Sequence, residues 1–213
     1  MKRGRFITFE GPEGSGKTTQ AHRLVEQLET AGLDVIYTRE PGGTRTGEAI
    51  RGILQYDTTR EPICPRTEVL LFAASRAQLV HNVILPALEK GTWVISDRFA
   101  DSTTVYQGYG RGFPIKEMLA INTFAIAEAV PDATLLLDVP VDVGFERLQE
   151  RIAAQGSARD RIENEARDFH ERVRRGYLEL AEREPERFHC INGSASPGEV
   201  SREVWKIIDG YRA

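Results

Sequence analysis

Gly11-Pro12-Glu13-Gly14-Ser15-Gly16-Lys17-Thr18 spells a complete G-x-x-x-x-G-K-T phosphate loop. Its chemistry is the holding of a polyphosphate. Glycines let the backbone curl close to the anion, so that successive N–H groups point inward and a helix N-terminus faces the charge. Lys17 is suited to bridge the outer phosphates and the Thr18 hydroxyl to ligate Mg²⁺. The flanks make this more than a Gly-rich turn with a chance lysine. Arg5-Phe6-Ile7-Thr8-Phe9-Glu10 before it is apolar and β-prone, and after Thr19 the residues Ala21, Leu24, Val25 and Leu28 recur at helical spacing. Residues 11–19 therefore form a binding set for a nucleoside triphosphate. Motors, switch GTPases, nucleotide kinases and sulfotransferase-like enzymes all use such a loop, so the remaining residues must decide what the triphosphate is for.

Asp97 closes a strand-like run, Trp93-Val94-Ile95-Ser96, where a carboxylate can complete a Mg²⁺ shell or simply cap a helix. Arg98 beside it tilts the reading toward metal on one side and an acceptor phosphate on the other, because a guanidinium fork binds phosphate bidentately. Phe72 and Arg76 are four apart on one helical face. Together they can recognise a planar base, by stacking and by donating to an edge carbonyl. Val69, Phe72, Ala73, Leu79, Val80 and Val83 also read as a core stripe, and spacing alone leaves both readings open. Residues 101–107, Asp-Ser-Thr-Thr-Val-Tyr-Gln, carry hydroxyls and amides that suit a sugar and pyrimidine pocket, or else a helix start and a loop. Glu40-Pro41-Gly42-Gly43-Thr44 follows a strand at the ligand-binding edge. The Arg-rich segment 151–163 is either a solvated loop or a moving part of the site.

These groups need a frame. Five apolar runs, 5–10, 34–38, 93–97, 133–138 and 187–191, alternate with segments of helical period, which predicts an α/β chain with a parallel sheet covered on both faces. Pro65, Pro86, Pro114 and Pro131 fall at expected helix limits. The 213 residues suit a single domain, and 40% hydrophobic with 28% charged residues is ordinary for a soluble protein. A formal charge of −4 disfavours nucleic-acid binding. Cys64 and Cys190 have no metal-ligand spacing and read as buried thiols. No apolar run reaches membrane-spanning length, so a cytoplasmic protein without membrane contact is expected.

The same residues carry a family resemblance across nearly the whole chain. Phe9-Glu10-Gly11, Thr38-Arg39-Glu40-Pro41-Gly42-Gly43-Thr44, Leu70-Leu71-Phe72-Ala73-Ala74-Ser75-Arg76-Ala77-Gln78 and Ser96-Asp97-Arg98 resemble thymidylate kinases. So do Ser102, Tyr106-Gln107-Gly108, Leu137-Asp138-Val139-Pro140 and Asp160-Arg161-Ile162-Glu163. The resemblance implies a nucleoside-monophosphate-kinase-like P-loop fold with a five-stranded parallel sheet. It also implies a homodimer and transfer of the ATP γ-phosphoryl to dTMP. By that analogy Phe72 stacks on thymine and Arg76 bonds its edge. Arg98 holds the acceptor phosphate with help from Arg51, and Glu13 sits beside acceptor and metal. Tyr106 crowds the sugar 2′ position, while Glu40, Ser102 and Gln107 complete the pocket. Segment 151–163 becomes a lid. The phosphate loop lacks arginine whereas the lid carries Arg151, Arg159 and Arg161, which resembles the bacterial lid-arginine type. Phe99-Ala100-Asp101 departs from the family pattern, so no role is carried over there. Adenine contacts are expected near 192–195. Rival readings are weaker. A nucleoside kinase needs a base, for which Glu40 is the candidate, and a GTPase needs an Asn-Lys-x-Asp motif that the sequence lacks.

Overall fold

The computed structural model describes residues 3–56, 61–156 and 160–212. Five strands, β1 (Phe6–Glu10), β2 (Val35–Arg39), β3 (Trp93–Asp97), β4 (Ala133–Asp138) and β5 (Phe188–Asn192), form one parallel sheet in the order β2-β3-β1-β4-β5. β1 and β3 are fully buried along their length, which is why they read as near-continuous apolar runs. On one face Ile7, Phe9, Ile95 and Leu135 pack under α1 (Lys17–Thr30) and α9 (Pro197–Asp209). On the other, Phe6 and Val94 meet Leu79 of α3 (Pro65–Leu79) and Leu88 of α4 (Leu85–Glu89). Leu136 meets Phe169, Val173 and Tyr177 of α8 (Arg167–Arg183). The two-residue period of each strand thus delivers alternate side chains to two helical layers.

The topology makes the crevice. β1 and β3 are neighbours, yet the next strand after β1 lies beyond β3, and the next after β3 lies beyond β1. Their loops leave in opposite directions and open a cleft at the carboxyl ends, the general ligand position in such sheets. Phe9 is in register with Asp97, and Arg39 with Asp97 across β2, so the phosphate loop, Glu40 and Arg98 emerge side by side.

Several expectations are corrected. Pro86 stands in the first turn of α4, a helix start as expected, but α4 continues α3 instead of beginning a new element. A π-helical turn, Val80–Ile84, joins α3 to α4, and its wider hydrogen-bond spacing accommodates the proline just after it. The resulting helix, Pro65–Glu89, has 25 residues and an apolar window of mean hydropathy 1.3, so its length and composition would suit a membrane span, contrary to the sequence reading. It buries Glu68 and Arg76 and packs on α2 (Arg45–Tyr56) and α6 (Ile115–Ile126), as a helix covering a sheet does. Residues 151–155 are the last turn of α7 (Val141–Gln155), so only the later part of 151–163 is irregular. Residues 101–110 are a buried α-turn and π-helical turn, α5 (Ala100–Thr103) followed by Thr104–Gly110, and not a loop. Both cysteines are exposed: Cys64 caps α3 at the surface and Cys190 sits on edge strand β5.

Candidate functional site

One cleft of about 980 Å³ runs along the carboxyl edge of the sheet, a size at the upper end of ordinary small-molecule sites. At one end the phosphate loop wraps it with Gly11, Gly14 and Gly16 at φ values of 143°, 71° and 92°. Only glycine adopts these without strain. The loop is also pressed against a helix. A Cβ on Gly14 would lie 2.2 Å from the Gly144 carbonyl oxygen of α7, and one on Gly144 would lie 2.4 Å from the Glu13 carbonyl oxygen.

Lys17 is buried and donates from Nζ to the carbonyls of Gly11 (3.0 Å) and Pro12 (2.8 Å). Burial lowers its pKa to about 8, with Arg98 adding to the effect and Glu13 and Asp97 opposing it, so it stays cationic at neutral pH. The Thr18 hydroxyl donates to the Asp97 carboxylate at the end of β3. A hydroxyl and a carboxylate are hard oxygen donors of the kind Mg²⁺ takes, and no cluster of three or more His, Cys, Asp or Glu occurs among the described residues. That sparse set fits an ion held by one or two protein oxygens together with substrate phosphates. Ser15, Gly16 and Thr19 line the same end of the cleft.

Arg98 sits at the centre. Its Nη2 donates to Glu13 Oε1 at 2.6 Å, its Nη1 reaches Gly11 O (3.3 Å) and Ser102 Oγ (3.2 Å), and its guanidinium lies 4.9 Å from the Tyr106 ring centroid. Burial would raise the Glu13 carboxyl, but Arg98, Lys17 and the Tyr106 hydroxyl (2.8 Å) together hold it down at about 2. Two cations and one carboxylate thus face the middle of the cleft, an arrangement that attracts phosphate groups.

The other end is formed by Glu40, Arg51, Leu54, Phe72, Ser102, Thr103, Tyr106 and Gln107. Phe72 is half-buried and presents to the cleft, off the core stripe it shares in the sequence. Arg51 donates to the Pro41 carbonyl at 3.0 Å. Gln107 Nε2 donates to Glu68 at 2.8 Å. Arg76 differs from expectation. It is 1% exposed and stands behind the cleft wall, because a buried carboxylate captures it: Nη2 and Nε donate to Glu40 Oε2 at 2.6 and 2.9 Å. Nη2 also donates to Thr103 Oγ1 (3.0 Å), and Nη1 to Asn122 Oδ1 (2.9 Å). Burial pushes the Glu40 carboxyl up to about 7 against the pull of Arg76.

The arginines of segment 151–163 separate. Arg151 lines the cleft and donates to Glu163 at 2.6 Å. Arg161 is turned away, paired with buried Glu68 and donating from Nε to the Leu54 carbonyl at 3.2 Å. Arg159 lies outside the described residues. Gly193 and Ala195, in the stretch expected near adenine, do line the cleft.

Sequence reasoning missed three neighbours of these groups. Arg147 lines the cleft and donates to the Gly193 carbonyl at 2.8 Å, but in an Arg-rich helical pattern it carries no distinguishing signal. Thr103 hid among adjacent hydroxyl residues. Tyr177, which donates to Glu10 at 2.7 Å, reads as core with Phe169, Val173 and Leu180.

Comparison with known proteins agrees with this geometry. The thymidylate kinase family model matches residues 9–204. A thymidylate kinase of Pelobacter propionicus is 50% identical over 94% of this chain and 92% of its own. Another, from Pelotomaculum thermopropionicum, is 50% identical over 97% and 94%. The crystal structure of thymidylate kinase from Ehrlichia chaffeensis superposes with a TM-score of 0.76 at 34% identity, covering 97% of this chain and 99% of that one. A phosphate loop, an acidic strand end and an aromatic-walled second compartment, in a chain this similar along its whole length, have one reading: the chain belongs to the thymidylate kinase family.

Proposed function

We propose that the chain transfers the γ-phosphoryl group of ATP to dTMP, giving dTDP and ADP, and so serves dTTP synthesis. The observation that carries this is one continuous cleft with the phosphate loop at one end, Phe72 at the other and Arg98 between them. ATP takes the loop end, its phosphates meeting the backbone N–H groups of 11–19 and Lys17, with Arg147, Gly193 and Ala195 toward adenine. dTMP takes the other end, its base against Phe72, its sugar near Tyr106 and its phosphate on Arg98 with help from Arg51. Glu40 and Arg76 brace the base compartment from behind, with Ser102 and Gln107 on its wall.

In-line phosphoryl transfer asks for positioning and charge stabilisation more than covalent chemistry. The attacking oxygen of dTMP is already ionised near neutral pH, which fits a site in which the weakly acidic carboxyl of Glu40 is tied to Arg76. When bound, Mg²⁺ would be held through Thr18 and Asp97 and would neutralise phosphate charge. Lys17 turns from the loop carbonyls to the phosphates, and Arg151 leaves Glu163 to face the transferring group as the lid excludes water.

Two further parts of the reading rest on surfaces. Leu70, Leu119, Phe124 and Val130, on and beside packed helices α3 and α6, are 60%, 46%, 89% and 55% exposed, and a homodimer would cover them. The unpaired thiols Cys64 and Cys190 fit a reducing cytoplasm. Assaying ATP consumption with dTMP, thymidine, dUMP and dCMP tests the assignment. dTMP should be the best acceptor, and preferential turnover of thymidine would overturn the reading.

A further inference from the structure

Arg98 has a left-handed backbone, φ 70°, shared among the described non-glycine residues only with Ala127. Such a conformation is disfavoured for a residue with a side chain and persists when surrounding bonds impose it. Bonds on the residues just after it converge on Glu10, which is completely buried at the end of β1 and lies outside the cleft wall. Glu10 Oε1 accepts the backbone N–H groups of Phe99 (2.8 Å) and Ser102 (3.3 Å), pinning the residue after Arg98 and capping the short helix that follows. Glu10 Oε2 accepts the hydroxyls of Ser102 (2.7 Å) and Tyr177 (2.7 Å). Tyr177, 1% exposed on α8, has its hydroxyl oxygen 3.4 Å from Arg98 Nη1. The Arg98 main chain is held in turn by its N–H to Phe9 O (3.0 Å) and by Ser96 Oγ donating to its carbonyl (2.7 Å).

We propose that Glu10 and Tyr177 are positioning residues for the acceptor phosphate: they lock the Arg98 kink and so fix where its guanidinium stands. The proposal rests on the reading of Arg98 as the acceptor-phosphate ligand. Glu10 does not line the cleft and reaches the substrate only through its neighbours Arg98 and Ser102. Tyr177 orients the Glu10 carboxylate and closes the far side of the guanidinium. A role in stability alone would leave the balance between the two substrates untouched.

The test compares KM for dTMP and for ATP in wild type, Tyr177→Phe, Glu10→Gln, Arg98→Gly and the Tyr177→Phe/Arg98→Gly double variant. Glycine suits the backbone at 98, so Arg98→Gly removes the guanidinium without adding strain. The expected result is a roughly ten- to hundredfold rise in KM for dTMP in Tyr177→Phe, the size of one lost bond to a charged group, with KM for ATP unchanged. Glu10→Gln should shift the same constant at least as far. In the Arg98→Gly background Tyr177→Phe should have no further effect. The proposal is overturned if Tyr177→Phe leaves KM for dTMP unchanged, if it raises both KM values together, or if its effect persists without Arg98. An Arg98→Gly variant with normal KM for dTMP would instead overturn the acceptor reading itself, and the positioning proposal with it. Should Glu10→Gln fail to fold, Tyr177→Phe alone decides, since it keeps the buried ring.

Discussion

Arg76→Ala is the substitution whose consequence the structure changes most. Its side chain donates to Glu40, Thr103, Asn122 and the Phe99 carbonyl inside a dry compartment, so truncation strands a buried carboxylate and several acceptors. Breaking such a pair costs about 3–5 kcal/mol. For a domain of this size that is roughly 6–20 °C in Tm. Part of the loss depends on pH. The folded-state pKa of Glu40 is raised from 4.5 to about 7, so the protonated carboxyl is the favoured folded form. Its contribution is fully present below about 4.5 and declines as pH climbs to about 7, where wild-type Glu40 ionises and the decline stops. Without Arg76 the pKa rises further and the decline continues in the variant alone. The gap between variant and wild type should therefore be flat below pH 7 and widen above it by up to about 1.4 kcal/mol per pH unit. Urea unfolding at pH 6 and pH 8 measures this, and adding Glu40→Gln should remove the pH-dependent part. A deficit under about 1 kcal/mol at pH 8, or one equal at both pH values, would refute the buried-pair account.

Three other outcomes follow from named groups. Lys17 has its pKa lowered from 10.5 to about 8, so below 8 the folded apo protein bears the full cost of a buried charge, relieved as pH rises from 8 to 10.5. A bound triphosphate should restore the proton, so calorimetry at pH 8 in buffers of different ionisation enthalpy should find uptake of about half a proton, and none at pH 6.5; buffer-independent heats would refute it. Arg151 faces the cleft while Arg161 is tied to Glu68, so Arg151→Ala should lower kcat the more, by about 10³ or beyond; unchanged kcat in both variants would remove any catalytic role for these arginines. Phe124→Asp should give a sedimenting monomer if the α3–α6 face joins two copies, and a protein already monomeric at micromolar concentration would remove the homodimer.

What the sequence made legible follows from which forces are local. β3 and β4 match their expected limits residue for residue, because a strand buried on both faces is apolar along most of its length. The phosphate loop was legible because its chemistry lies in contiguous backbone. Arg76 was half legible: its helical face with Phe72 was right, but the Glu40 carboxylate that draws it behind the wall is 36 residues away. Pro86 marked the start of α4, but the π-helical turn that joins α4 to α3 just before it has no sequence signature here. Cys64 and Cys190 were read as buried from the habit of their residue type, whereas a helix cap and a sheet edge expose them. Glu10 and Tyr177 act through bonds across 167 positions, which no local pattern announces.

The contact between Gly14 and Gly144 bears on engineering this chain. Gly144 lies inside α7, where propensity alone would recommend alanine by about 1 kcal/mol, and a consensus or thermostabilising design would nominate it early. The added methyl group would meet the Glu13 carbonyl oxygen at 2.4 Å, so the strain would be delivered to the backbone that wraps the triphosphate. Helix and loop have to be redesigned as one unit. A library that varies α7 while holding the loop fixed would trade turnover for thermal tolerance at this position, because the glycine gives up helix stability to let two main chains touch.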